Sequence, residues 1–214
     1  MAGPFAQITS GPATSTGKNT NIGSLIFDKI SNIVESVGNA GLAMAHQTAL
    51  FVVAAQAALT NITAAQNFFS QTLVASVLNK LNRTLLISGQ FIYTSPGATT
   101  PTISLSVVLG GVTLCTITSA AISATASTNA PGYFQFELTT ASTGSTGTIE
   151  AHGQLSLNIA AASPSAAIAT YLDTNTAVSS AVNLGIANLL QVQIAASSTI
   201  TSAQLRQFTV EVVS

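Results

Sequence analysis

The chain has 214 residues, of which 47% are apolar but only 5% charged, and its net charge is −1; an ordinary globular chain is about a quarter charged. Ser, Thr, Ala, Asn and Gln replace the missing charge, so the charge-rich, apolar-poor signature of disorder is absent. The five Lys and Arg are scattered singly, which excludes the clustered positive charge that a nucleic acid requires. The length allows one sizeable core, or one domain with an arm. So neutral a surface gives copies little mutual repulsion and favours self-association.

Residues 1 to about 23 are rich in Gly, Ser, Thr, Pro and Asn and read as an extended arm. Met1–Phe5 shows no basic segment followed by an apolar run, so no secretion signal is expected. Ser24 then offers an N-cap, Gly38 stands at a C-cap position, and Leu25, Ile26, Ile30, Ile33, Val34 and Val37 recur at helical spacing between them. This predicts a short amphipathic helix over about 24–37. About 13 residues of helix are marginal alone, so its apolar stripe of those six residues must find a surface on its own domain or on a neighbouring subunit. The flexible segments on both sides favour the neighbour and make the stripe the expected partner-binding surface. A second joint follows up to residue 48. The most apolar stretch, Ala40–Leu59, is broken by His46, Gln47 and Gln56, and its pieces are far short of the ~20 residues of a membrane span.

From about Leu50 the hydrophobic period changes to two. Leu85, Ile87, Phe91 and Tyr93 fall on one face of 84–93, Ile103, Leu105, Val107 and Leu109 on one face of 101–109, and Phe134, Phe136 and Leu138 on one face of 132–140. The clearest alternation sets Ile149, Ala151, Leu155, Leu157 and Ile159 against Glu150, His152, Gln154, Ser156 and Asn158. Leu190, Val192 and Ile194 repeat the pattern, and Phe208, Val210 and Val212 close it. Turn-formers such as Ser95–Gly97, Gly110-Gly111, Asn129–Gly132 and Gly144–Gly147 separate the runs. About eight such half-buried strands predict an antiparallel sandwich or barrel. The stretch 60–82 shows neither period and reads as irregular.

The chemistry-bearing residues are few. Cys115 is the lone cysteine, which excludes an internal disulfide and multi-cysteine metal sites; within Val112–Ile117 it reads as a small buried strand residue. Of the two histidines, His46 lies in the joint, and His152 shares a strand face with Glu150, the pattern of a solvated surface pair. A hairpin can set Glu137 and Glu150 side by side as glycosidase carboxylates are set, but with no Trp and three Tyr the aromatic platforms are lacking. Asp173-Thr-Asn175 lacks the remaining oxygen ligands of a calcium loop. Gly11–Lys18 has five residues between its glycines and Asn19 after the lysine, so it fails as a phosphate-binding loop. No catalytic residue, metal or cofactor is expected, and the chain reads as a structural or binding protein, not an enzyme.

Residues 50 to 214 resemble the single jelly-roll domains of tailed-bacteriophage virion proteins. The segments carrying the likeness are Leu59–Thr63 leading to Phe68-Phe69, Lys80–Tyr93, Thr102–Leu114, Thr148–Leu155 and the closing stretch Leu189–Val213. The resemblance implies an all-β, antiparallel jelly-roll sandwich over 49–214, with 1–48 as an anchoring arm and helix. It implies a capsid cement or decoration protein on the capsid exterior, assembled in the host cytoplasm. There it would bridge major capsid protein subunits as a homotrimer, with no nucleic acid or membrane partner. The alternative implied is a head or tail fibre module recognising host glycans, with Tyr133 and Tyr171 as the sugar platforms.

Overall fold

The computed structural model describes residues 24–28, 33–37, 47–53, 55–75, 77–159, 168–173 and 178–213. The chain divides into two units, Met1–His46 and Gln47–Ser214. In the first, β1 (Ser24–Asp28) and β2 (Ile33–Val37) form an antiparallel hairpin with Ser24 opposite Val37 and Asp28 opposite Ile33.

This corrects the expected helix over 24–37: the segment is two strands, and no helix occurs among the described residues. Of the six residues assigned to the helical stripe, Leu25 and Ile26 lie in β1 and Ile33, Val34 and Val37 in β2, while Ile30 lies outside the described residues. Five of the six are Ile or Val. Branching at Cβ restricts their rotamers in a helix and suits them to a pleated strand.

The second unit holds eleven strands in two antiparallel sheets. They are β3 (Gln47–Val53), β4 (Leu59–Ile62), β5 (Gln66–Leu73), β6 (Thr84–Ser95), β7 (Ile103–Leu109), β8 (Val112–Thr118), β9 (Ser127–Ser142), β10 (Thr148–Asn158), β11 (Ile168–Leu172), β12 (Asn188–Ala196) and β13 (Ile200–Val213). Sheet one runs β11-β10-β9-β6-β13-β3, with β4 also on β13; sheet two runs β5-β12-β7-β8. The result is a β-sandwich of jelly-roll kind, with more strands than the eight expected. The stretch read as irregular supplies β4 and β5.

Alternation dictates which faces are buried. Along β6 every second residue from Leu85 to Tyr93 is buried apart from Gly89's missing side chain, and the residues between them are half-buried or exposed. β9, β10 and β12 follow the same rule over most of their length, and β7 does so up to Val107, turning Ile, Leu, Val and Phe into one core. Several register irregularities interrupt the ladders, and those of β5 and β13 re-phase the pattern. In β5 the register jumps from Val192–Phe69 to Gln193–Asn67, so Phe68 and Phe69, though adjacent, are both buried. In β13 the jump from Leu205–Phe91 to Gln207–Gln90 leaves Arg206 as the extra, exposed residue, and Leu205 and Phe208 both face inward. The Gly110-Gly111 turn joins β7 to β8 with φ of 57° and 84°, the left-handed pair that a two-residue hairpin demands.

An aromatic spine ties the sheets together. Phe69 of sheet two stacks on Phe208 of sheet one at a centroid distance of 4.0 Å. Phe208 also meets Phe134 at 6.2 Å, and Phe68 meets Phe91 edge-on at 5.4 Å. Three glycines make room for these rings: Gly89 lies directly opposite Phe134, Gly132 opposite Phe91, and Gly153 opposite Phe136.

Tyr93 is 1% exposed, and its hydroxyl donates to the main-chain carbonyl of Asn158. Burial, with Tyr171 nearby, pushes its phenol up from 10.0 to about 12. Because the folded value exceeds the unfolded one, the neutral phenol's contribution to stability is complete below pH 10 and is lost as the pH rises towards 12. Thermal melts of the wild type should therefore show a midpoint falling over that window, and Tyr93→Phe should flatten the fall. Parallel curves for the two proteins would refute the assignment.

Candidate functional site

The residues singled out for chemistry are not brought into an enclosed site. His152 Nε2 and Glu150 Oε1 are 3.2 Å apart with both side chains nearly half exposed, a solvated pair worth little to stability. Glu137 lies opposite His152, not Glu150, so the two carboxylates are diagonal neighbours on the open outer face of β9 and β10. Among the described residues no three His, Cys, Asp or Glu are grouped to hold a metal, and no helix is long and apolar enough to cross a membrane. His46 and the residues after Asp173 up to 177 lie outside the described residues.

Cys115 is buried on β8, and its thiol donates to Asp173 Oδ2 at 3.1 Å. Burial first, then the Asp173 carboxylate, push the thiol well above its ordinary value. It stays protonated and is a poor nucleophile.

The two outer faces of the sandwich differ in charge and in the arrangement of their polar groups. The strands of sheet two carry no charged residue. Six of their outer side chains pair with one another, Ser104 with Thr118 and Ser106 with Thr116, each at 2.8 Å, and Gln193 with Asn67 at 3.1 Å, while Ser70 and the facing Gln191 take no side-chain partner among the described residues. Sheet one carries two transverse rows of amides and hydroxyls. One row runs Ser156–Tyr133–Gln90–Gln207, and the next runs Gln154–Gln135–Ser88–Thr209. Four strands at ~4.8 Å spacing make a patch about 14 Å wide.

Most of this patch is unspent. Tyr133 donates weakly to Gln135 Oε1 at 3.4 Å, and Ser156 bonds Thr170 at its margin. Among the described residues the side chains of Gln90, Gln154, Ser88, Thr209 and Gln207 take no such partner. An adjoining row, His152–Glu137–Leu86–Glu211, brings the acidic groups to one border. Tyr133 stands half-exposed between Gln90 and Ser156, with its ring on the outer face. Tyr171 does not join it, because its ring packs against the core and its hydroxyl is buried. Simple alternation places these polar residues outward; their cross-strand rows follow only from the registers.

No family model matches the chain, and no curated protein matches it. Among solved structures, sheep galectin-11 in complex with glycerol is similar over 64% of this chain and 96% of its own, at 12% identity and a TM-score of 0.26. A galectin of Caenorhabditis elegans is similar over 69% of this chain and 94% of its own, at 8% identity and 0.21. The CBM2 module of the evolved Dit of Lactobacillus casei BL23 phage J-1 is similar over 63% and 67%, at 8% identity and 0.21. Values this low assign no family. The architecture itself is that of an all-β antiparallel sandwich, with its polar groups displayed on open sheet faces.

Proposed function

We propose that the protein is a non-catalytic recognition module that binds a neutral glycan on the outer face of sheet one. The observation that carries this reading is the four-strand polar patch of sheet one, in which the half-exposed Tyr133 stands among amides and hydroxyls. Gln90, Gln154, Ser88 and Thr209 stand on strands paired on both sides or along a continuous ladder, and their donors and acceptors take no partner among the described residues. Amides can address the paired hydroxyls of a sugar, and the Tyr133 ring supplies an apolar surface with a polar tip. The strands hold these groups in place before binding, which limits the ordering cost. Attachment to an uncharged ligand should be insensitive to salt.

Placement on a phage particle belongs to the same proposal and is supported by the resemblance of residues 50 to 214 to virion jelly-roll domains. Decoration of a capsid, with the major capsid protein as partner and three copies assembled, is the second reading. The charge-free outer face of sheet two favours it, since such a face can pack on a neutral protein surface without stranding a charge.

Tyr133→Ala is expected to weaken glycan binding by at least about tenfold, as loss of a central aromatic contact does. Ser104→Ala, on sheet two, should leave binding unchanged. A glycan array followed by calorimetry on the best ligand reads both. An array on which the wild type binds nothing, or equal affinity for wild type and Tyr133→Ala, would sink the glycan reading.

A further inference from the structure

Sheet one ends in a strand with an unusual edge. β11 pairs with β10 on one side, and no described strand pairs with its other side. Ile168 is 72% exposed and Leu172 67%; with Thr170 they form the outer face of the strand, while Ala169 and Tyr171 turn inward and are half-buried. Exposed edges are ordinarily guarded by Lys, Pro or a bulge. β11 has no charge and no proline, and its pairing with β10 is regular from Ile168 to Leu172.

We propose that β11 is a self-recognition strand, pairing antiparallel with β11 of a second copy about a two-fold axis through Thr170. The outer-face residues Ile168, Thr170 and Leu172 are nearly symmetric about the centre of the strand. In that register Ile168 of one copy meets Leu172 of the other, twice by symmetry, and Thr170 meets its own counterpart. On the inner face the small Ala169 meets the large Tyr171. Aliphatic and Thr–Thr pairs of this kind are favourable across strands. Sliding the pair by two residues would set Leu172 against Thr170 and Tyr171 against Tyr171, so the centred register is the best matched.

The second copy is the fitting occupant because the strand complements itself and brings no charge to the contact, in a chain whose net charge is −1. Such an isologous contact closes at two copies, and is separate from any threefold association. Five paired residues fall short of the ~1,200 Å² of a stable complex, so the dimer is weak and concentration-dependent. The axis stands perpendicular to the sheet and turns the Tyr133 faces of both copies to the same side. Two faces engaged together gain avidity from a multivalent surface.

The test is sedimentation velocity on the full chain over a wide concentration range, without sugar, so its outcome is independent of the glycan reading. The wild type should pass from monomer to dimer. The variant I168K/L172K places lysines opposite each other twice and should raise the dissociation constant at least about tenfold. The variant I168K/L172E places opposite charges in the same register and should return it to within about threefold of wild type. All substitutions are at exposed positions, and circular dichroism checks that each variant is folded. A wild type that stays monomeric at every concentration would overturn the proposal. So would a dimer that persists in I168K/L172K, or an I168K/L172E variant no better than I168K/L172K.

Discussion

Replacing Gly132 by valine is expected to destabilise the sandwich by about 3 kcal/mol or more, the upper end of what overpacking a core costs. Gly132 lies opposite Phe91 on the neighbouring strand, and the Phe91 ring fills the space that a side chain would take. A Cβ built there sits 2.5 Å from Phe91 Cε1 and 2.8 Å from Cε2. The ring cannot swing away cheaply, because it is 2% exposed and packed among Phe68, Tyr93 and Phe134. The expected cost comes from volume and not from backbone strain, since Gly132 is not among the residues of positive φ. Urea denaturation of Gly132→Val gives the cost directly. The double variant Gly132→Ala with Phe91→Leu should be more stable than the sum of its two single variants predicts, because the shorter side chain vacates the Cβ position. Strict additivity would mean that the ring does not need the glycine.

The same pairing explains part of what the sequence conceals. In β10 the buried alternation Ile149, Ala151, Leu155 and Leu157 is plain, yet it skips residue 153. That position is Gly153, over which Ile117 and Phe136 pack, so the gap in the apolar pattern is filled by neighbours distant in sequence. Adjacent Phe68 and Phe69 fit no period of two, and the bulge that turns both inward is set by pairing with β12, which local sequence does not encode. The strands β6, β7, β9, β10, β12 and the end of β13 were legible because each is longer than its irregularities. Short β11, with one aliphatic at each end, was not.

The segment 24–37 shows the limit of periodicity on a short run. Its apolar residues fit a helical stripe when counted by position, but their β-branched chemistry favours the hairpin that forms. On the outer face of sheet one, alternation places Gln135, Gln154 and Tyr133 outward, while their rows depend on which strands are neighbours. Tyr171 differs from the expected sugar platform for a related reason: it is one of two inward residues on a strand whose other residues are exposed.

Phe208→Ala is expected to cost about 3–5 kcal/mol, the range for truncating a buried phenylalanine, against a total stability of roughly 5–15 kcal/mol for a domain. Phe208 is fully buried on β13, the strand that pairs with β6, β3 and β4, and its stack on Phe69 bridges the two sheets. Removing the ring leaves a void bordered by Phe69 and Phe134, two large rings that are themselves held by further aromatics. Such a site collapses poorly, which puts the cost in the upper half of the range. A double-mutant cycle with Phe69→Leu separates the stack from simple burial. A coupling of about 0.5–1.5 kcal/mol is expected for a specific aromatic contact. A coupling near zero would mean that the sheets adhere by apolar area alone and that Phe69 and Phe208 are interchangeable with any side chains of their size. An unchanged denaturant slope across the cycle would show that both variants unfold from the same compact sandwich, so that the energies can be compared.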